Sequence, residues 1–104
     1  MPRRVTVAKV SKIPNGGSAV VTVLQRDVAI FNVNGAFFAV DDFCPHMGAS
    51  LSGGYVEDGC VTCPWHFWRF RLSDGSWADN PKVKISAYPI HIVGDDVQLE
   101  LPDL

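Results

Sequence analysis

Apolar and polar positions along the chain alternate with a period of two in short runs broken by Gly, Asn and Asp, which is the pattern of half-buried strands. Val5-Thr6-Val7, Ala19-Val20-Val21-Thr22-Val23-Leu24, Val28-Ala29-Ile30-Phe31 and Ala36-Phe37-Phe38-Ala39-Val40 are rich in β-branched and aromatic residues. Asn34-Gly35 suits a two-residue hairpin turn between strands ending near Val33 and starting at Ala36, because both residues tolerate positive φ. Toward the end of the chain, Tyr88, Ile90 and Ile92 are expected on one face of a strand. Val97, Leu99 and Leu101 are expected on one face of the next, with Gln98 and Glu100 turned outward. No window carries an apolar period of about 3.6 residues, and no repeat or linker interrupts the chain. The pattern predicts an all-β meander.

Composition sharpens this reading. A length of 104 residues predicts a single domain over 1–104. With 47% hydrophobic and 19% charged residues, the chain can fill a core. Nine Lys and Arg stand against eleven Asp and Glu, for a net charge of −2, so the cationic excess of a nucleic-acid binder is missing. The apolar runs fall far short of the roughly 20 residues that span a bilayer, and polar residues break every stretch near Met1 that could serve as a secretion signal. A cytoplasmic location without membrane or nucleic-acid partners is expected. Three cysteines are too few for a disulfide framework, which turns attention to metal or redox chemistry.

The strand pattern fails between Asp41 and Trp68, where Cys, His, Pro, Gly and Trp crowd together. Cys44-Pro45-His46-Met47-Gly48 is followed, after sixteen intervening positions from His46, by Cys63-Pro64-Trp65-His66. Each segment offers a thiol and an imidazole, and in each a Pro directly after the Cys stiffens the loop. The intervening segment from Gly53 to Thr62 reads as a hairpin that brings the two loops side by side. Cys44, His46, Cys63 and His66 are therefore the candidate metal ligands. Zinc is one reading of such a set, although Cys2His2 zinc sites usually space their ligands differently.

The Cys-x-His and Cys-x-x-His spacing resembles the Rieske family, most specifically over residues 41–75. That resemblance implies an antiparallel β-sandwich carrying a small cluster-binding subdomain, formed by two loops over about residues 41–75. It also implies a Rieske-type 2Fe-2S cluster, with Cys44 and Cys63 on one iron and His46 and His66 on the other. In such a centre two ferric ions, two sulfides and two thiolates cancel in charge, so one added electron creates a single negative charge. Imidazole ligation places potentials between roughly −150 and +300 mV, against about −400 mV for all-Cys plant-type clusters. The two imidazoles can also lose their outer protons in the ferric state, coupling electron uptake to proton uptake at high pH.

The chain departs from the family pattern at several positions. The extra cysteines that clamp the loops of cytochrome bc-type members are matched by Ala49 and Trp65, and their Ser and Tyr hydrogen-bond donors by Trp68 and Phe70. Fewer donors to the reduced cluster imply a potential near the low end of the Rieske range. Phe67 stands where the family usually has Gly. It is read as tolerated at negative φ for local structural reasons, the alternative being a role in partner docking. Met47 and Trp65 are expected to shield the cluster. Cys60 is expected to be a buried structural thiol, and His91 a surface residue. Asp41, Asp42, Glu57 and Asp58 form a candidate acidic docking rim, more simply read as a solvated edge.

The set lacks the parts of an oxygenase. A mononuclear iron needs two His and a carboxylate, and once His46 and His66 are assigned only His91 remains. No Gly-rich dinucleotide fingerprint is present either. The expected role is to carry single electrons between a reductase and a terminal oxidoreductase or large subunit, without a catalytic site in this chain. The opening segment, with Val28–Phe31 and Phe38–Asp42, resembles the small subunit of NAD(P)H nitrite reductase. The ferredoxin component of a ring-hydroxylating dioxygenase is the alternative, and a zinc-bound or metal-free scaffold module a third reading.

Overall fold

The apolar run Val28–Phe31 shows no alternation because it is covered on both faces. The computed structural model describes residues 3–23, 25–42, 50–64 and 67–101. Twelve strands appear among them: β1 (Arg3–Lys9), β2 (Ser18–Val23), β3 (Arg26–Val33), β4 (Ala36–Asp41), β5 (Tyr55–Glu57), β6 (Cys60–Thr62), β7 (Arg69–Arg71), β8 (Ser76–Trp77), β9 (Asn80–Lys84), β10 (Ala87–Tyr88), β11 (Ile90–Val93) and β12 (Asp96–Leu101). Short 3-10 helices occupy Val10–Lys12 and Leu51–Gly53.

The strands form three antiparallel sheets, ordered β1-β12-β11, β10-β4-β3-β2 and β5-β6-β7-β8-β9. The four-stranded sheet lies between two apolar cores. On one side Val28, Ile30 and Ala39 pack with Ile13, Val97, Leu99 and Leu101 against the three-stranded sheet. On the other, Ala29, Phe31 and Val40 pack with Leu51, Val61, Cys63, Phe70 and Leu72 beneath the five-stranded sheet. Burial of side chains of this size stabilises the fold by roughly 1.5–3 kcal/mol each. The all-β, antiparallel sandwich is as expected, and the five-stranded sheet is the layer that carries the loop of Cys63.

Local chemistry explains the turns. Asn34 and Gly35 take φ of 54° and 89° between β3 and β4, and Asp58 and Gly59 take 53° and 75° between β5 and β6. The buried Asn32 amide donates to the Ile13 carbonyl at 2.8 Å and accepts the Gly35 N–H at 2.9 Å, so both its polar ends are satisfied.

Two expectations need correction. The chain is not a simple meander, since β1 pairs with β12 across almost its whole length. Nor do Tyr88, Ile90 and Ile92 share one strand. Tyr88 pairs with Ala39 in the four-stranded sheet, while Ile90 pairs with Leu99 in the three-stranded sheet. Pro89 separates them: it has no N–H for a ladder, and its carbonyl accepts the Glu100 N–H at 2.9 Å as the chain changes sheets. Ile92 ends up exposed. Val97, Leu99 and Leu101 are buried as expected.

Candidate metal centre

Both candidate ligand loops spring from the layer around Leu51 and Cys63. The first leaves β4 at Asp41 and returns at Ser50, and its two ends are held by one carboxylate. Asp42 Oδ2 accepts the Ser50 hydroxyl at 2.5 Å, and Oδ1 accepts the Ser52 N–H at 2.7 Å. Leu51 then plunges into the core. Cys44 and His46, together with Met47 and Ala49, lie outside the described residues.

The second loop leaves β6 after Thr62 and returns to β7 at Arg69, two residues that face each other in the ladder. One rung further, the Cys63 N–H donates to the Trp68 carbonyl at 2.7 Å and closes the loop. Cys63 is fully buried beside Leu51, Val61 and Phe70. Pro64 and Phe67 are exposed on either side of Trp65 and His66, which lie outside the described residues. Trp68 stacks on Trp77 with ring centroids 3.8 Å apart and planes 7° apart, which braces the loop's return against β8.

Gly54 joins the two loops. A Cβ built there would stand 1.9 Å from the Thr62 carbonyl oxygen and 3.3 Å from that of Leu51. Only a residue without a side chain lets the return of the first loop approach the start of the second this closely. A buried sulfur at a strand end, two loops clasped at their bases and a glycine-only contact between them fit a cluster shared by both loops. Among the described residues no group of three His, Cys, Asp or Glu side chains converges, as follows when Cys63 is the one described member of the proposed four.

The other residues singled out in the sequence fall away from this centre. Cys60 is buried in β6 opposite Glu57, at the far end of the hairpin from Cys63. Glu57 and Asp58 share that far end, and Asp41 and Asp42 are engaged within the protein, so the four do not form one acidic rim. Asp41 accepts the Tyr88 hydroxyl at 2.6 Å and the Ser86 N–H at 3.0 Å. Burial, with the Asp41 carboxylate beside it, holds the Tyr88 phenol above its ordinary pKa. His91 is half-buried in the three-stranded sheet, on the opposite side of the central sheet from Cys63, with Nε2 3.5 Å from Glu100 Oε1. Phe67 contradicts its expected geometry: its φ is +61° and 68% of its surface is exposed.

Asp42, Gly54 and the Trp68–Trp77 stack were not singled out by sequence as parts of the centre. Gly53-Gly54 signals a turn, but the pair does not reveal which glycine meets a backbone. Trp77 lies beyond the ligand segments and is brought in only by the β7–β8 pairing of Phe70 with Trp77.

The model of the Rieske [2Fe-2S] domain matches residues 3–89, and the chain belongs to that family. It is a Rieske-type electron-transfer ferredoxin with a 2Fe-2S cluster. The chain is 36% identical over 102 residues to the 3-phenylpropionate/cinnamic acid dioxygenase ferredoxin subunit of Shigella flexneri serotype 5b (strain 8401), covering 96% of this chain and 95% of that one. Its structure is similar to a protein assigned as the NADH-dependent nitrite reductase small subunit of Mycobacterium tuberculosis, with a TM-score of 0.92 and 26% identity over 100% of this chain and 99% of that one. A chain in the complex of reduced oxygenase and oxidized ferredoxin of carbazole 1,9a-dioxygenase is also similar, with a TM-score of 0.82 and 26% identity over 92% and 91% of the two chains. Among the described residues, no helix is long and apolar enough to cross a membrane.

Proposed function

We propose that Cys44 and Cys63 hold one iron of the cluster, that His46 and His66 hold the other, and that the chain delivers single electrons to the terminal oxygenase of a ring-hydroxylating dioxygenase. The cluster, when bound, supplies a one-electron couple. The protein's part is to hold it between two clasped loops. Cys63 keeps the thiolate side dry within the core, while the exposed Pro64 and Phe67 face the partner. Asp42, Gly54 and the Cys63–Trp68 hydrogen bond fix the loop bases, so little rearrangement accompanies electron transfer. Cluster-binding chemistry is confined to about residues 41–75 of a single domain, and the cytoplasm is its proposed location.

The observation that carries this reading is the 36% identity to a dioxygenase ferredoxin subunit across nearly the full length of both chains. The described surface agrees with a shuttle. Its large exposed apolar residues are Val20, Tyr55, Phe67, Ile92 and Val93, spread over several elements rather than gathered on one sheet face. The second reading, a nitrite reductase small subunit, is favoured by the TM-score of 0.92 to the Mycobacterium tuberculosis protein. Stopped-flow mixing of the reduced protein with a purified terminal oxygenase separates them: rapid reoxidation with transient complex formation is expected. Co-purification with a sirohaem subunit, and no transfer to the oxygenase, would establish the second reading instead.

A further inference from the structure

Phe67 is unfavourable in the isolated protein on two independent counts. Its φ of +61° lies in the left-handed region, where a Cβ crowds the backbone and glycine is the natural occupant. The residue is 68% exposed and packs against neither apolar core among the described residues, so neither core compensates for the strain. The backbone that follows it is held in place: the Cys63 N–H donates to the Trp68 carbonyl, and Trp68 is stacked on Trp77. The strained conformation is thus imposed by the loop, and an aromatic ring has been placed where glycine would serve the loop better. Local strain of this kind gathers at functional positions.

We infer that Phe67 is an apolar docking residue, whose ring inserts into an apolar recess on the terminal oxygenase beside that protein's electron-accepting centre. This rests on the reading given under Proposed function. Phe67 directly follows His66, a proposed ligand of the cluster, so a partner that seats the exposed ring is brought within one residue of that ligand. A single aromatic anchor inside an otherwise polar and transient contact can carry much of its affinity. The anchor adds close approach at the point of transfer without a broad adhesive face, which suits a carrier that must also dissociate.

The test uses the cluster-loaded protein and the oxygenase component of 3-phenylpropionate/cinnamic acid dioxygenase as probe. Wild type, Phe67→Gly, Phe67→Ala and Phe67→Trp are reduced and mixed with oxidised oxygenase over a range of concentrations, giving Kd and the limiting transfer rate. Oxidation by ferricyanide, midpoint potential and thermal midpoint are measured in parallel. Phe67→Gly and Phe67→Ala are expected to raise Kd about 10-fold or more, with potential and ferricyanide oxidation unchanged and Phe67→Trp close to wild type. The thermal midpoint of Phe67→Gly is expected above that of Phe67→Ala, because only glycine relieves the positive φ. Binding of Phe67→Gly within about twofold of wild type, against the hot-spot expectation, overturns the inference. So does a loss of affinity accompanied by a shifted potential, which would make the ring part of the cluster environment. Failure of wild type itself to reduce the oxygenase would instead overturn the proposed function.

Discussion

Substituting alanine at Gly54 tests whether the contact between the two loops holds the centre together. The added Cβ would meet the Thr62 carbonyl oxygen at 1.9 Å, where real contacts do not fall below 3.0 Å, so one loop base must retreat by more than an ångström. The obstruction is backbone, carried in the β5–β6 ladder, and cannot rotate away as a side chain would. Overpacking of this kind costs about 3 kcal/mol, and for a domain of this size that lowers the thermal midpoint by roughly 15 °C. Gly53 is the internal control. A Cβ there meets nothing within 4 Å, and its φ is not in the left-handed region, so Gly53→Ala is expected to stay within about 0.5 kcal/mol of wild type. Both variants are purified anaerobically, and iron per chain and far-UV circular dichroism melting are measured. Gly54→Ala should lose most of its iron and melt early, while its neighbour keeps both properties. Full iron content and an unshifted midpoint in Gly54→Ala would refute the close approach on which the shared centre depends.

Other expectations follow from the same geometry. Asp42→Ala removes the acceptor of the Ser50 hydroxyl and the Ser52 N–H; it should cost about 1–2 kcal/mol and hasten iron loss to a chelator several-fold, followed by the decay of visible absorbance. The raised pKa of Tyr88 means that the folded state favours the protonated phenol. Its contribution is therefore complete below about pH 10, the unfolded phenol's value, and is lost as pH rises through the higher folded-state pKa. Tyr88→Phe should be less stable at pH 8 by about 1 kcal/mol and show a shallower alkaline decline in denaturant titrations. Neither Trp68 nor Phe70 carries a hydroxyl to stabilise the reduced cluster, so protein-film voltammetry should give a midpoint between roughly −150 and +100 mV. A higher value would contradict the donor-poor site.

The parts of the fold that rest on local chemistry were legible in the sequence. Asn34-Gly35 marked its hairpin because left-handed φ at both positions calls for those residues, and Val97, Leu99 and Leu101 marked a buried face by simple alternation. The turn between β2 and β3 was harder to read. Gln25 takes a φ of 65° there without any Gly or Asn signal, because the ladder on either side imposes the turn. The pairing of β1 with β12 is a long-range contact with no local signature, and Pro89 hid a change of sheet within one apparent strand. At the candidate site, the spacing of Cys44, His46, Cys63 and His66 pointed to the chemistry, since ligand loops need particular residues at particular intervals. What supports the loops was less visible. Asp42 looks like a surface charge until its two serine partners are placed, Gly54 looks like any turn glycine until Thr62 approaches it, and Phe67 was expected at a negative φ but takes +61°.

The most direct test of the account is the metal itself: iron, sulfide and zinc content of the anaerobically purified protein, with electron paramagnetic resonance before and after dithionite and nitrogen couplings read from histidine-labelled protein. The account predicts two irons and two sulfides per chain, no zinc, and a rhombic signal on reduction coupled to two histidine nitrogens, one of which is lost when either His46 or His66 is replaced by cysteine with the cluster retained. Zinc in place of iron, or a reduced cluster coupled to no histidine nitrogen, would contradict it.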